Sequence, residues 1–122
     1  MLKKEFVKNN REFKQVLETS NFFMYQVTAY GNDNYQDIYY ELFKKTLQNE
    51  RVYDDIGWVD TGNKTYYYPS NEHFGVWAWC CSNEKCVMKV LKRLQVNEDE
   101  ISDFKDFFLQ GNTRVPSKRE SV

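Results

Sequence analysis

Phe22-Phe23-Met24-Tyr25-Gln26-Val27-Thr28-Ala29-Tyr30 is the stretch whose reading decides the fold. Aromatic and β-branched side chains dominate it. They suit a pleated, half-buried surface, so a strand is predicted. Successive strand residues point to opposite faces, which puts Phe23, Tyr25, Val27 and Ala29 on one side.

Upstream, Leu2, Phe6, Phe13, Val16 and Leu17 fall near a helical stripe, with Lys3, Lys4, Lys8, Arg11 and Lys14 elsewhere. This predicts a helix over about residues 3–18. Downstream, Gly31-Asn32-Asp33-Asn34 breaks the strand and offers a helix cap. Tyr35, Ile38, Tyr39, Leu42, Phe43 and Leu47 then recur at helical spacing, predicting a second helix over about residues 35–49. Asp60-Thr61-Gly62-Asn63 is a turn signal between Ile56–Val59 and Thr65–Tyr68, which reads as a hairpin. Phe74–Cys81 reads as another strand, with Trp77, Trp79 and Cys81 on one side and Phe74, Val76, Ala78 and Cys80 on the other.

Two further helices close the chain. Ser82 or Asn83 caps one whose inward residues are Cys86, Val87, Val90, Leu91 and Leu94. Asn97 and Glu100 have the spacing of a capping box for a last helix carrying Ile101, Phe104, Phe107 and Phe108, expected to stop at Gly111. Residues 112–122 are expected to be a flexible tail, leaving one domain over residues 1–111. The expected class is α+β: a ferredoxin-like, split β-α-β antiparallel sheet of about four strands with three to four helices. The order of these elements is similar to that of the small ferredoxin-like domains that include nucleases and antitoxins, although none of their motifs is present.

A chain of 122 residues with 41% hydrophobic and 29% charged residues can build one buried core. No apolar run approaches the roughly 18 residues of a spanning helix. Acid appears early, at Glu5, so a secretory signal is not expected and the cytoplasm is the expected compartment. Cys80, Cys81 and Cys86 are odd in number and crowded, a poor disulfide framework, and with a single histidine, His73, they lack the spacing of a metal site. No metal or cofactor is expected. There is no phosphate loop or nucleophile elbow, and His73 with Glu72 beside it reads as a loop pair, so catalysis has little support.

The aromatic residues are the unusual feature. They cannot all face the helices, so Trp58, Tyr66, Tyr68, Trp77 and Trp79 are the candidate residues for binding a partner protein, since Trp and Tyr dominate interface hot spots. The competing structural reading covers that face with the first helix or the tail, or leaves the tyrosines over the sheet with their hydroxyls in water. Lys85, Lys89, Lys92 and Arg93 are the candidate nucleic-acid contacts, extended by Arg114, Lys118 and Arg119 if the tail folds back. A formal net charge of −1 argues against a dedicated phosphate binder. Glu98, Asp99, Glu100, Asp103 and Asp106 are read as the acidic start of the last helix. The functional expectation is a small non-enzymatic regulator or inhibitor of a larger intracellular protein, of the kind encoded by phages and mobile elements. The alternative is an RNA-binding regulator or ribonuclease-type antitoxin.

Overall fold

The computed structural model describes residues 2–31 and 36–113. The central stretch is a strand, as its composition predicts, but it sits in a different architecture. Strands β1 (Glu5–Lys8), β2 (Arg11–Glu18), β3 (Phe22–Tyr30), β4 (Gln36–Lys44) and β7 (Ala78–Cys81) form an antiparallel sheet in the order β1-β2-β3-β4-β7. Strands β5 (Leu47–Asp54) and β6 (Gly57–Tyr66) form a separate two-stranded antiparallel ribbon. Helices α1 (Glu84–Arg93) and α2 (Glu98–Thr113) follow.

The ferredoxin-like expectation is therefore overturned: the described residues hold seven strands in two antiparallel sheets and two α-helices. Both of the helices expected before residue 50 are strands. The first is a hairpin. Asn9 and Asn10 both adopt left-handed φ values, 53° and 63°, which is the geometry of a two-residue turn that matches strand twist. Asparagine tolerates that region better than most residues. The turn brings Phe6 opposite Phe13, and their rings stack at 4.5 Å. A bulge then leaves Val16 without a register partner on β3, so that Gln15 pairs with Tyr25 and Leu17 with Met24. It turns Val16 and Leu17 toward the helices, whereas Phe13 faces the other side. The second expected helix is β4 and the start of β5; Tyr35 lies outside the described residues, as do Asn32, Asp33 and Asn34 of the expected cap. Ile38, Tyr39, Leu42 and Phe43 alternate across a strand that carries apolar groups on both faces.

Alternation divides the core in two. Phe22 and Met24 of β3, with Leu42, Trp79 and Cys81, pack beneath α1 and α2 against Val87, Leu91, Ile101, Phe104 and Phe108. Phe23, Tyr25 and Val27 face the other way and pack with Phe13, Phe43 and Ala78. Residues 66–77 lay Tyr66, Tyr68, Phe74 and Trp77 over this second face, with Leu2 and Phe6 at its edge. The sheet is thus covered on both sides. Burying each large apolar side chain contributes roughly 1.5–3 kcal/mol, although the end of the sheet at Val7, Tyr30 and Ile38 remains exposed.

Two smaller corrections have local causes. The strand expected over Phe74–Cys81 starts only at Ala78, because Gly75 adopts a φ of 93° and His73 O accepts from the amides of Val76 and Trp77 at 3.0 and 3.1 Å. The last helix runs through Gly111 to Thr113; residues 114–122 of the expected tail lie outside the described residues. Both helix caps are present: Asn83 Oδ1 accepts from the Cys86 amide at 3.0 Å and Asn97 Oδ1 from the Glu100 amide at 2.9 Å.

The Glu100 side chain does not complete the capping box. Glu100 is only 4% exposed, and its carboxylate accepts from the Thr19 hydroxyl, the Asn21 amide at 2.8 Å and Asn21 Nδ2 at 2.9 Å. Helix α2 is thereby pinned to the β2–β3 loop. Burial pushes the Glu100 carboxyl up, but the hydrogen bonds from Thr19 and Asn21 and the charge of Lys45 outweigh it and hold the group below the usual carboxylate range.

Candidate functional site

The ribbon gathers several large apolar groups in water, Leu47, Val52, Tyr53, Ile56 and Trp58, while Val7, Tyr30, Ile38, Val76 and Leu109 are exposed elsewhere. Its reversal is at Asp54-Asp55-Ile56-Gly57, where Asp54 Oδ1 accepts from the Ile56 amide at 2.9 Å and Gly57 takes a φ of 110°. The turn expected at Asp60-Thr61-Gly62-Asn63 is instead a bulge in β6, three residues of which face Glu50. The local turn chemistry is real: Asp60 Oδ1 accepts from the Gly62 amide at 2.8 Å, Thr61 Oγ1 from the Asn63 amide at 3.2 Å, and Gly62 has a φ of 85°. It bends the strand rather than ending it.

This register sets Trp58 opposite Tyr53, with the rings edge to face at 5.4 Å. Trp58 is 69% exposed, Tyr53 72% and Ile56 89%. Val52 is also exposed. An isolated two-stranded hairpin is only marginally stable in water. Here the base of the ribbon is tied to the body by Tyr66, packed on Phe23 at 5.2 Å, and by the Tyr67 hydroxyl, which accepts from the Arg51 amide at 3.1 Å. The tip carries Asp54, Asp55 and Asp60, and the whole ribbon holds four acids against Arg51 and Lys64.

The five aromatic candidates do not share a surface. Trp58 is exposed on the ribbon. Tyr66, Tyr68 and Trp77 are half-buried over one face of the main sheet, and Trp79, 9% exposed, lies under the helices on the other. Trp77 packs at 4.5 Å on His73 and 6.3 Å from Phe43. Tyr53 and Ile56 are exposed apolar residues that sequence reasoning missed; the Asp54-Asp55-Ile56-Gly57 reversal was the signal that could have found them.

Lys85, Lys89, Lys92 and Arg93 are all exposed on α1, and among the described residues none of them forms an ion pair. Exposed Glu98, Asp99, Asp103 and Asp106 of α2 belong to the same helical layer. The basic group lies on the face opposite Tyr66, Tyr68 and Trp77, so stacking rings and cations are not combined there.

On the side of the covering segment, the sheet holds a polar row that ends at exposed Cys80. Gln15, Tyr25, Glu41 and Cys80 are successive register partners across β2, β3, β4 and β7. Gln15 Nε2 donates to the Tyr25 hydroxyl at 3.2 Å, and the Tyr68 hydroxyl donates to Glu41 Oε1. Burial pushes the Glu41 carboxyl above its ordinary range, offset in part by the Tyr68 hydrogen bond and the charge of Arg11. Burial and the neighbouring Glu41 raise Tyr68 far above the usual phenol range.

His73 lies in a 3-10 turn, Asn71–His73. Its Nδ1 accepts from the Ser70 amide at 3.1 Å, which occupies the lone pair a base would use on the Ser70 hydroxyl 3.2 Å away. Cys80, Cys81 and Cys86 are free thiols. Burial and contact with the Cys86 thiol raise Cys81, and burial and Glu41 raise Cys80, so neither is activated as a nucleophile. Among the described residues, no group of three or more His, Cys, Asp or Glu side chains is placed to hold a metal ion, and no helix is long and apolar enough to cross a membrane. No protein-family model, curated protein or solved structure matches this chain.

Proposed function

We propose that this chain is a small non-enzymatic interaction protein, a regulator or inhibitor that engages a larger intracellular protein through the tip of the β5–β6 ribbon. The observation that supports it is the exposure of Trp58, Tyr53 and Ile56 together on a ribbon that is two-stranded among the described residues. Contiguous exposed apolar groups mark interaction surfaces, and Trp and Tyr are the side chains that concentrate binding energy. The acids around the tip suit a partner surface with basic groups at its rim. Of the candidate aromatic residues, Trp58 carries the contact, while Tyr66, Tyr68, Trp77 and Trp79 support the fold beneath it. The free thiols suit a cytoplasmic setting.

The RNA-binding alternative is favoured by one observation, the exposed basic face of α1 at Lys85, Lys89, Lys92 and Arg93, which forms no ion pair among the described residues. The two readings separate in one comparison. Wild type, Trp58→Ala and a Lys89→Ala, Lys92→Ala pair are used as bait in the host extract and titrated with single-stranded RNA over a range of salt. The ribbon reading expects a captured protein that the folded Trp58→Ala variant loses, with affinity reduced about 30-fold or more, the mark of a hot spot of roughly 2 kcal/mol. Capture unaffected by Trp58→Ala, together with RNA affinity that falls steeply with salt and flattens in the lysine pair, would replace it with the alternative.

A further inference from the structure

A second site, independent of the ribbon, lies at the edge of the covered aromatic face. A cavity of about 280 Å³ opens there between the β1–β2 hairpin and residues 68–74. Its walls are rings: Phe6 stacks on Phe13, and both meet Tyr68 edge to face at 5.2 and 5.4 Å. Its inner end holds the half-buried Glu41 and its rim holds exposed Lys8 and Arg11.

The carboxylate is incompletely used. Oε1 accepts from the Tyr68 hydroxyl, whereas Oε2 accepts no hydrogen bond and makes no ion pair among the described residues. Arg11 is near enough to bias Glu41 electrostatically, but the hydrogen bond it makes goes from Nη1 to the Tyr39 hydroxyl at 3.1 Å, which leaves its other N–H donors open to a ligand. A half-buried carboxylate oxygen without a protein donor is left for water or a ligand to satisfy. An ammonium group answers both features of the interior, donating to the carboxylate and lying against ring faces that attract cations. The rim asks for the opposite charge, because two cationic side chains stand in solvent at the mouth. The volume suits a compact ligand, below the range typical of drug-sized sites.

We infer that this cavity binds a small zwitterion of the α-amino-acid type, with its ammonium on Glu41, its carboxylate toward Lys8 and Arg11, and an apolar side chain against Phe6, Phe13 and Tyr68. Because the ammonium needs an ionised partner and burial raises Glu41, affinity rises with pH through the Glu41 titration.

Three probes that share one ring separate the charges: L-phenylalanine, phenethylammonium and 3-phenylpropanoate, each titrated into the whole chain near neutral pH and followed by NMR of the Phe6, Phe13 and Tyr68 rings. L-Phenylalanine binds best, phenethylammonium about tenfold less well and 3-phenylpropanoate least, since a charge-assisted hydrogen bond in a partly dry site is worth about a tenfold or larger factor. Glu41→Gln, which can still accept from Tyr68, lowers affinity for both amines about tenfold and leaves the acid unchanged. Lys8→Gln with Arg11→Gln, both on the exposed rim, brings L-phenylalanine down to the level of phenethylammonium. Tightest binding by 3-phenylpropanoate, unchanged amine affinity in Glu41→Gln, or silent ring signals at millimolar probe would overturn the assignment. Should Glu41→Gln fail to fold, the ranking of the three probes on wild type and on the rim variant decides by itself.

Discussion

Replacing Glu100 by alanine strikes the contact that ties the helical layer to the sheet. The side chain is buried and receives three hydrogen bonds, from the Thr19 hydroxyl and from the amide and side chain of Asn21. Hydrogen bonds to a charged group contribute about 1.5–3 kcal/mol, and donors left buried without a partner cost about 1–3 kcal/mol each. The three bonds share one carboxylate and Asn21 is exposed, so their loss is not additive. We expect Glu100→Ala to cost about 3 kcal/mol. With a urea slope of about 2 kcal/mol per molar for a domain of this size, the unfolding midpoint falls by about 1.5 M. Glu100→Gln keeps one acceptor but turns an NH₂ group toward a donor, and should cost about half as much. The pH dependence has a definite sign. The folded-state pKa of Glu100 is depressed, so its contribution is fully present above the unfolded carboxylate pKa of about 4.3 and is lost as pH falls through the lower folded value. The wild type should therefore lose, on acidification through and below that range, a component of stability that Glu100→Gln lacks. A Glu100→Ala midpoint within about 0.25 M of wild type, or identical acid profiles for wild type and Glu100→Gln, would refute the argument.

Three other outcomes follow from the same geometry. Trp79→Ala should cost about 3–5 kcal/mol in urea unfolding, as expected of a buried aromatic, whereas exposed Trp58→Ala should stay within about 0.5 kcal/mol of wild type; similar costs at both positions would contradict their assigned burial. Asn10→Ala should destabilise by about 1 kcal/mol, because a φ of 63° penalises a Cβ lacking asparagine's local hydrogen bonding, and Asn10→Gly should not; equal midpoints for the two would remove the turn assignment. Tyr68→Phe removes a hydrogen bond that holds the Glu41 carboxyl down, so the Glu41 titration followed by carboxyl NMR should move to higher pH, and a move to lower pH would exclude that bond.

Much of the misreading of the first half of the chain traces to one physical ambiguity. A two-residue turn at Asn9-Asn10 sets Phe6 opposite Phe13, seven residues apart, and a bulge at Val16 carries Leu17 to the other face. Residues 6, 13, 16 and 17 then imitate a helical stripe although every one of them is in a strand. The β4 segment misleads differently. Apolar pairs such as Ile38-Tyr39 and Leu42-Phe43 recur at intervals of four because this strand carries apolar groups on both sides, and a strand with two apolar faces loses its alternation. The Asn9-Asn10 dipeptide was the available clue, since adjacent asparagines between two runs favour a turn with positive φ. In the candidate site, Trp58 was legible only as one of five aromatic candidates, and nothing local separated it from Tyr66, Tyr68, Trp77 and Trp79, which are half-buried or buried. The cavity around Glu41 was not legible, because its lining comes from β1, β2, β4 and residues 68–74, which only the folded sheet brings together.

The central strand, the two helix caps and the inward faces of α1 and α2 are determined by the sequence itself, because each rests on neighbours within a few residues: alternation along one strand, a side-chain oxygen three residues from an amide, a 3.6-residue stripe. Tertiary structure decided the rest. Whether an apolar stretch becomes a helix or a doubly covered strand depends on what packs on it, and which aromatics reach water depends on residues 66–77 folding back over the sheet. Those contacts join residues far apart in sequence, and their hydrophobic free energy outweighs the weak local preferences that a pattern can report.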